Sequence, residues 1–481
     1  MKEKQPVDRL HPGAAGQQKR GEPIAGGPPG RPKGEYRSAQ REGSPVSPPG
    51  RPKGEFRSAQ REGSPLSAQQ IQVLLGGGDA ATSRRVFLAA TLAAGTTAAT
   101  AATAATAALS SLAPSSGLAQ PGMHTRLTRE YGVRLPFVGA GMGFIATPPL
   151  VAAVSNAGGI GVLGNAIEPP PSTQALIQQI KLSTSKLFGI DFIVDDSAFG
   201  PLTTDAHINV CIAEQVKLVV FHMNVPPKEW VDRLHAAGAR VWMQAGSVKQ
   251  AADAAAVGVD AVIAQGREAG GHNKSTTPAL LLLAQIIKAV HPVLVLAAGG
   301  IADGEAVFRA LSSGAEGVWV GTRLVASTEA YAHAQYKARL VAAKENSTVT
   351  TTMFGPEYPN RPYRVLRNRV VDEFAGREDT IPEPPPPPAI IGKTLLFPRT
   401  FRQPYEMPKF SAIVPTPDTV GDFEEMGLPA GDGAKFIKSI QPAAHIVATM
   451  MNDARVLFEQ ELTRSVGCNQ HVPESSAQVS G

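Results

Sequence analysis

From residue 135 onward, short runs rich in Val, Ile and small apolar residues alternate with longer stretches whose apolar positions recur at helical spacing. Eight of the short runs predict strands: Leu135–Ala140, Gly159–Gly164, Leu187–Val194, Val216–His222, Ala239–Gln244, Asp260–Gln265, Pro292–Ala298 and Gly317–Gly321. The stretches between them predict helices, among them Pro149–Ala157, Pro226–Ala237, Val248–Val257, Pro278–Val290 and Glu305–Ser313. Near-continuous apolar strands that each lead into a helix imply a parallel sheet covered on both faces. Eight such units imply closure into a (β/α)8 TIM barrel, placed over residues 125–348. The alternative is an open doubly wound sheet. That fold calls for a GxGxxG turn after its first strand, and the chain instead reads Gly139-Ala140-Gly141-Met142-Gly143.

Beyond the eighth strand, Ser327–Lys344 predicts the last barrel helix and Pro442–Leu462 an amphipathic terminal helix. Residues 349–425 are Pro-rich, with a run at Pro384–Pro388, and are expected to be irregular. They would form a flap over the barrel mouth or a loop wrapped on its surface. The whole extension, 349–470, is expected to pack on the barrel.

The first 119 residues have a different character. Residues 28–47 and 48–67 form a 20-residue tandem repeat that differs at two positions and is rich in Pro, Gly, Ser and charge. Two polar copies cannot build a solenoid core, so residues 1–82 are expected to be a disordered leader. A second reading keeps them as sequence upstream of the true translation start. Ser83-Arg84-Arg85-Val86-Phe87-Leu88 then opens an uncharged Ala/Thr tract that exits through Gly117-Leu118-Ala119. Paired arginines, an apolar region and small residues at the exit form a twin-arginine (Tat) signal over 83–119, which implies the Tat export machinery as a partner and an exported, periplasmic protein. The tract is too weakly apolar for a stable membrane span.

Charge follows the same division. The net charge is +5, yet residues 1–119 alone hold 15 Lys/Arg against 8 Asp/Glu, and the remainder carries a net −2. The body therefore has no bulk attraction for nucleic acid. Cys211 and Cys468 are isolated, with no CxxC and no histidine at ligand spacing. That argues against a metal site and leaves one disulfide open.

Chemistry in such barrels sits at the C-terminal ends of the strands. The first strand ends at Gly141-Met142, where small residues let a flat ligand approach the backbone. The sixth ends Gln265-Gly266-Arg267-Glu268-Ala269-Gly270-Gly271-His272. Gln265 needs a polar partner there, and Gly270 and Gly271 allow backbone N–H groups to turn toward an anion or a carbonyl. His272 is the candidate catalytic base. Gly299-Gly300 after strand seven, and Gly321-Thr322-Arg323 after strand eight, stand where barrels build a phosphate cup.

The stretches 147–164, 188–191, 265–272, 297–304 and 321–323 resemble the nitronate monooxygenase family, formerly called 2-nitropropane dioxygenases. The resemblance implies FMN at the mouth of a TIM barrel, in contact with Gly141, Met142, Asp191, Gln265, Gly270, Gly299, Gly300, Gly321 and Thr322, with His272 as the active-site histidine. It implies oxidation of a small alkyl nitronate by O2 to a carbonyl compound and nitrite. The chain departs from the family's usual residues at Gly141, Asp191, Lys274 and Trp319. Two other functions compete: an NAD(P)H-using flavin reductase of the enoyl-acyl-carrier-protein or quinone type, and a barrel that binds a flavin or other ligand without catalysis.

Overall fold

A computed structural model of the protein describes residues 67–75, 123–381 and 389–468. The twin-arginine stretch, nearly all of the tandem repeat, the Pro384–Pro388 run and the final dozen residues lie outside the described residues.

Eight parallel strands close into a barrel in chain order: β1 Phe137–Gly139, β2 Ile160–Asn165, β3 Phe188–Ile193, β4 Leu218–His222, β5 Arg240–Ala245, β6 Ala261–Gln265, β7 Leu294–Ala298 and β8 Gly317–Val320. Closure is direct, because β1 pairs with both β2 and β8. All eight coincide with the predicted runs, six lying within them and β2 and β5 running one residue past, to Asn165 and Ala245. The alternating apolar pattern explains why both faces are buried. Val138, Val220, Trp242, Ile263, Leu296 and Trp319 belong to one cluster filling the barrel. Their strand neighbours Phe137, Val219, Phe221, Val241, Val262 and Val318 belong to the layer shared with the helices.

The fourteen-residue and shorter helices around the barrel begin where polar or Pro residues stop the strand pattern. In chain order the first are α1 Ala68–Leu74, α2 Arg126–Tyr131, α3 Pro148–Asn156, α4 Pro170–Ser183, α5 Asp205–Ala213, α6 Lys228–Ala236, α7 Val248–Ala256, α8 Ala279–Val290 and α9 Gly304–Ser312. Next come the short α10 Thr322–Val325, then α11 Ala334–Val341, α12 Arg369–Phe374 and the long α13 Ala443–Cys468. Leu127 of α2 reaches the barrel's inner cluster. Tyr131 accepts the Trp242 indole N–H at 2.7 Å, which satisfies the largest buried side chain. The predicted helix over 327–344 is shorter than expected, because residues 327–333 run irregularly and His333 caps α11 with its imidazole.

Two expectations are corrected. Residues 67–75, inside the segment read as a disordered leader, form α1. Ser67 and Gln70 make a reciprocal capping box, Ile71 and Leu74 are buried in the main core, and α1 packs against α13. The 349–425 segment is not merely irregular. It contributes β9 Thr348–Thr351, β10 Tyr363–Leu366, β11 Ile390–Leu396 and β12 Gln403–Pro408, arranged in two small antiparallel sheets completed by the short strands Gly271–His272 and Val420–Gly421. A separate apolar cluster around Phe354, Tyr363, Val365, Val370 and Phe410 supports this cap.

Among the described residues no helix is long and apolar enough to cross a membrane, and no group of His, Cys, Asp and Glu is placed to hold a metal. Cys211 is a buried free thiol, and burial pushes it up to about 12.

Candidate active site

Five of the barrel strands carry a buried or half-buried polar side chain in their C-terminal half: Asn165, Asp191, His222, Gln244 and Gln265. They face one cavity at the C-terminal mouth of the barrel, roofed by the cap. Gly141, Met142, Asp191 and Gln265 all line it, as do Gly270, Gly271 and His272. Gly299, Gly300, Gly321 and Thr322 line the same cavity, so every candidate site residue converges there. Arg323 does not. Its guanidinium turns away to Gln441 Oε1, at 2.8 Å, and to the Ser439 carbonyl, so it ties the barrel to the C-terminal segment and adds no charge to a phosphate cup.

The glycines are needed for close approach. A Cβ on Gly141 would stand 2.2 Å from the Asp191 Cβ, so β1 and β3 can converge only with glycine here. Gly299 and Gly300 have φ of +109° and +73°, which a side chain resists. The Gly431 N–H donates to Thr322 Oγ1 at 3.0 Å, and a Cβ on Gly270 would lie 2.4 Å from Gly431 N. The C-terminal segment thus closes over the ends of β6 and β8.

His272 is held by the cap. Gly271–His272 pairs with β10, which places Tyr363 directly across from His272. The two rings stack at 4.2 Å and 17°, and Tyr358 meets the imidazole edge-on at 4.8 Å. Asn273 fixes the loop from the other side by donating to the Gly266 carbonyl at 2.9 Å. The His222 imidazole lies 3.2 Å, through Nε2, from the His272 carbonyl oxygen. Burial, reinforced by the neighbouring His222, pushes His272 down to about 3. Burial likewise pushes His222 down to about 4. Both are neutral imidazoles at pH 7.

The cap is latched at the cavity rim. Arg361 donates two hydrogen bonds to Asp195, at 2.9 and 3.1 Å, and the Tyr358 hydroxyl donates to the same carboxylate at 2.7 Å. Glu357, inside the cap, accepts from Tyr405, Ser411 and the Ala412 N–H. Phe199, on a small hairpin at the rim, is 55% exposed yet lines the cavity, beside Leu202 and Tyr358.

Three buried polar atoms on this lining, Asp191 Oδ1, His222 Nδ1 and His272 Nδ1, have no protein partner. Such atoms are costly unless a ligand or water completes them. A glycine-lined platform, a glycine cup at β7 and β8 and unpaired polar atoms at the strand ends together fit a flat heterocycle carrying a phosphate.

His222, Gln244, Tyr358, Tyr363 and Gly431 were not among the sequence candidates. His222 and Gln244 carry the same signal as Gln265, a polar side chain closing an apolar strand. The cap residues carry no local signal, since only tertiary pairing brings them to the mouth.

Comparison with known proteins agrees with this geometry. The family model for nitronate monooxygenase matches residues 124–453. A "(3aS,4S,5R,7aS)-5-hydroxy-7a-methyl-1-oxo-octahydro-1H-indene-4-carboxyl-CoA dehydrogenase" of Mycobacterium tuberculosis is 35% identical over 52% of this chain and 68% of its own. A probable nitronate monooxygenase of Staphylococcus aureus is 30% identical over 54% of this chain and 83% of its own. Among solved structures, FabK from Thermotoga maritima superposes with a TM-score of 0.59 at 30% identity, covering 71% of this chain and 99% of that one. A nitroalkane oxidase from Streptomyces ansochromogenes gives 0.56 at 26%, covering 70% and 99%. With the barrel, the cap and nearly all of the cavity lining inside the matched span, the chain belongs to the nitronate monooxygenase family of flavin-dependent oxidoreductases.

Proposed function

We propose that this protein is an FMN-dependent enzyme that oxidises small alkyl nitronates with O2 to a carbonyl compound and nitrite. The observation that carries the reading is the convergence, in one roofed cavity, of the glycine loops after β7 and β8 with a buried, uncharged His272. FMN, when bound, supplies the two-electron acceptor for the substrate carbon and a route from there to O2. Gly299, Gly300, Gly321 and Thr322 would hold its phosphate, and Gly141, Met142, Asp191, Gln265, Gly270 and Gly271 its ring. His272 is fixed by Tyr363 and stays neutral at pH 7, so it acts first as a hydrogen-bonding group that orients the nitro oxygens. As a base it is weak in the free protein, which favours a preformed nitronate over a neutral nitroalkane. The cap excludes water from the reacting carbon.

A second reading, oxidation or reduction beside a carbonyl of an acyl thioester with a pyridine nucleotide partner, is favoured by one feature. The rim is apolar at Phe199 and Leu202, which suits the acyl chain of such a substrate. The relatives named for a CoA dehydrogenase and for FabK make the same suggestion. For residues 83–119 we propose Tat-dependent export to the periplasm.

The test is the visible spectrum of the purified flavoprotein, followed anaerobically as propionate 3-nitronate or NADH is added. Bleaching by the nitronate and not by NADH is expected. Bleaching by NADH alone would transfer the assignment to the reductase reading.

A further inference from the structure

Asp191 is the one carboxyl on the cavity wall whose ligation is half complete. It lies in the middle of β3, paired in register with Gly164 of β2 and Val220 of β4, and covered by Gly141 in the loop after β1. Gln244 of β5 donates its amide N–H to Oδ2 at 2.7 Å, while Oδ1 is buried with no partner. None of these packing elements brings a cation to it. The other titratable groups on the lining are the neutral His222 and His272, Glu357, which is satisfied within the cap, and the tyrosines 336, 358 and 363. A buried carboxylate without a cation or a second donor is the costly form, and burial raises Asp191 well above the usual carboxylate range.

Resting on the FMN reading above, we infer that Asp191 works as a neutral carboxylic acid, oriented by Gln244, whose Oδ1 hydroxyl donates a hydrogen bond to an acceptor on the flavin ring. The assignment of the proton follows from the geometry. Gln244 presents its Nε2 to Oδ2, and an amide N–H only donates, so with Gln244 in this orientation the acid hydrogen sits on Oδ1. Gln244 is then a positioning residue: it selects which oxygen is the donor. An acid in this place does what an amide side chain would do, offering one donor to the ring while accepting from Gln244. It does not place a negative charge against the reduced flavin.

The experiment uses the full chain loaded with FMN. An infrared difference spectrum, wild type minus Asp191→Asn, in H2O and in D2O, is expected to show a deuterium-sensitive carboxylic C=O band. In parallel, quenching of flavin fluorescence gives the FMN affinity. Asp191→Asn keeps a donor and is expected to bind nearly as tightly as wild type, while Asp191→Leu, shown folded by circular dichroism, binds roughly tenfold more weakly. Carboxylate bands without the acid band would overturn the inference, as would Asn and Leu variants of equal affinity. The infrared result stands alone if the Leu variant does not fold. A folded wild type that takes up no FMN would instead remove the cofactor reading, and this inference with it.

Discussion

At neutral pH the cavity holds two uncharged imidazoles, His222 and His272, and both must gain a proton before the unfolded and folded chains carry equal charge in acid. Their folded values, about 4 and about 3, lie below the unfolded value of 6.5. Below about pH 6.5 the unfolded chain therefore binds more protons, so stability falls as the pH drops from there toward 4 and is indifferent to these groups above it. For His222 alone the penalty reaches roughly 3 kcal/mol. His222→Gln can still donate to the His272 carbonyl but cannot titrate, so its urea midpoint should fall less between pH 7 and pH 4.5 than that of the wild type. Equal falls would mean that water reaches His222 and relieves its burial. His222 also shows how far single residues could be read. The glycines after β7 and β8, Gln265 and His272 announced themselves by standing out from apolar strands, and the structure gathers them. His222 and Gln244 stand out in the same way and were legible by the same rule. Arg323 looked equally suited to a phosphate, but the direction of its side chain is set by Gln441, more than a hundred residues away.

At the scale of elements, the strands were legible because a doubly covered parallel sheet leaves a simple mark: runs of Val, Ile and Ala bounded by Gly and polar residues. The cap was not, because its strands are set in Pro-rich loop sequence and the pairing that roofs the mouth, Tyr363 with His272, joins residues far apart in the chain. Helix α1 lay in between. Ser67-x-x-Gln70 ahead of Ile71, Val73 and Leu74 is a capping-box signature, obscured by the polar repeat that leads into it. Besides the pairing of β10 with Gly271–His272, the cap is latched to the rim by Asp195 with Arg361 and Tyr358, reinforced by the Ala198 N–H donating to the Glu357 carbonyl at 3.0 Å. Arg361→Ala leaves Asp195 with the tyrosine alone and removes the guanidinium from the Tyr358 face. The expected result is faster amide hydrogen exchange in 196–201 and 357–363, with a stability loss of roughly 1–2 kcal/mol. Exchange that is unchanged in both segments would show the apolar contacts of Leu202, Met223 and Tyr358 to be the real closure.

The whole molecule raises a question about its own N-terminus. Helix α1 precedes the stretch 83–119 in sequence but belongs to the folded body in space. Besides the buried Ile71 and Leu74, the His124 N–H donates to the Leu74 carbonyl at 2.8 Å, which ties the helix to the chain just before α2. A chain cut after Ala119 would keep the barrel, the cap and the cavity but lose this helix. Removing the helix strips Ile71 and Leu74 from the main core, and truncating buried aliphatic side chains of this kind costs about 2–5 kcal/mol. The chain 120–481 is therefore expected to bind flavin at the same site yet unfold at lower urea than the chain 59–481, by roughly 2–4 kcal/mol, with Ile71→Ala in the longer chain reproducing much of the loss. Under the export proposed above, the mass of the protein recovered after export would then say which form exists: a chain beginning near Gln120 requires the body to function without α1, and one retaining residues 67–75 means that the stretch 83–119 is carried as an internal segment. Equal stability of the two chains, together with a silent Ile71→Ala, would show that α1 is dispensable to the fold and remove any structural objection to cleavage at Ala119.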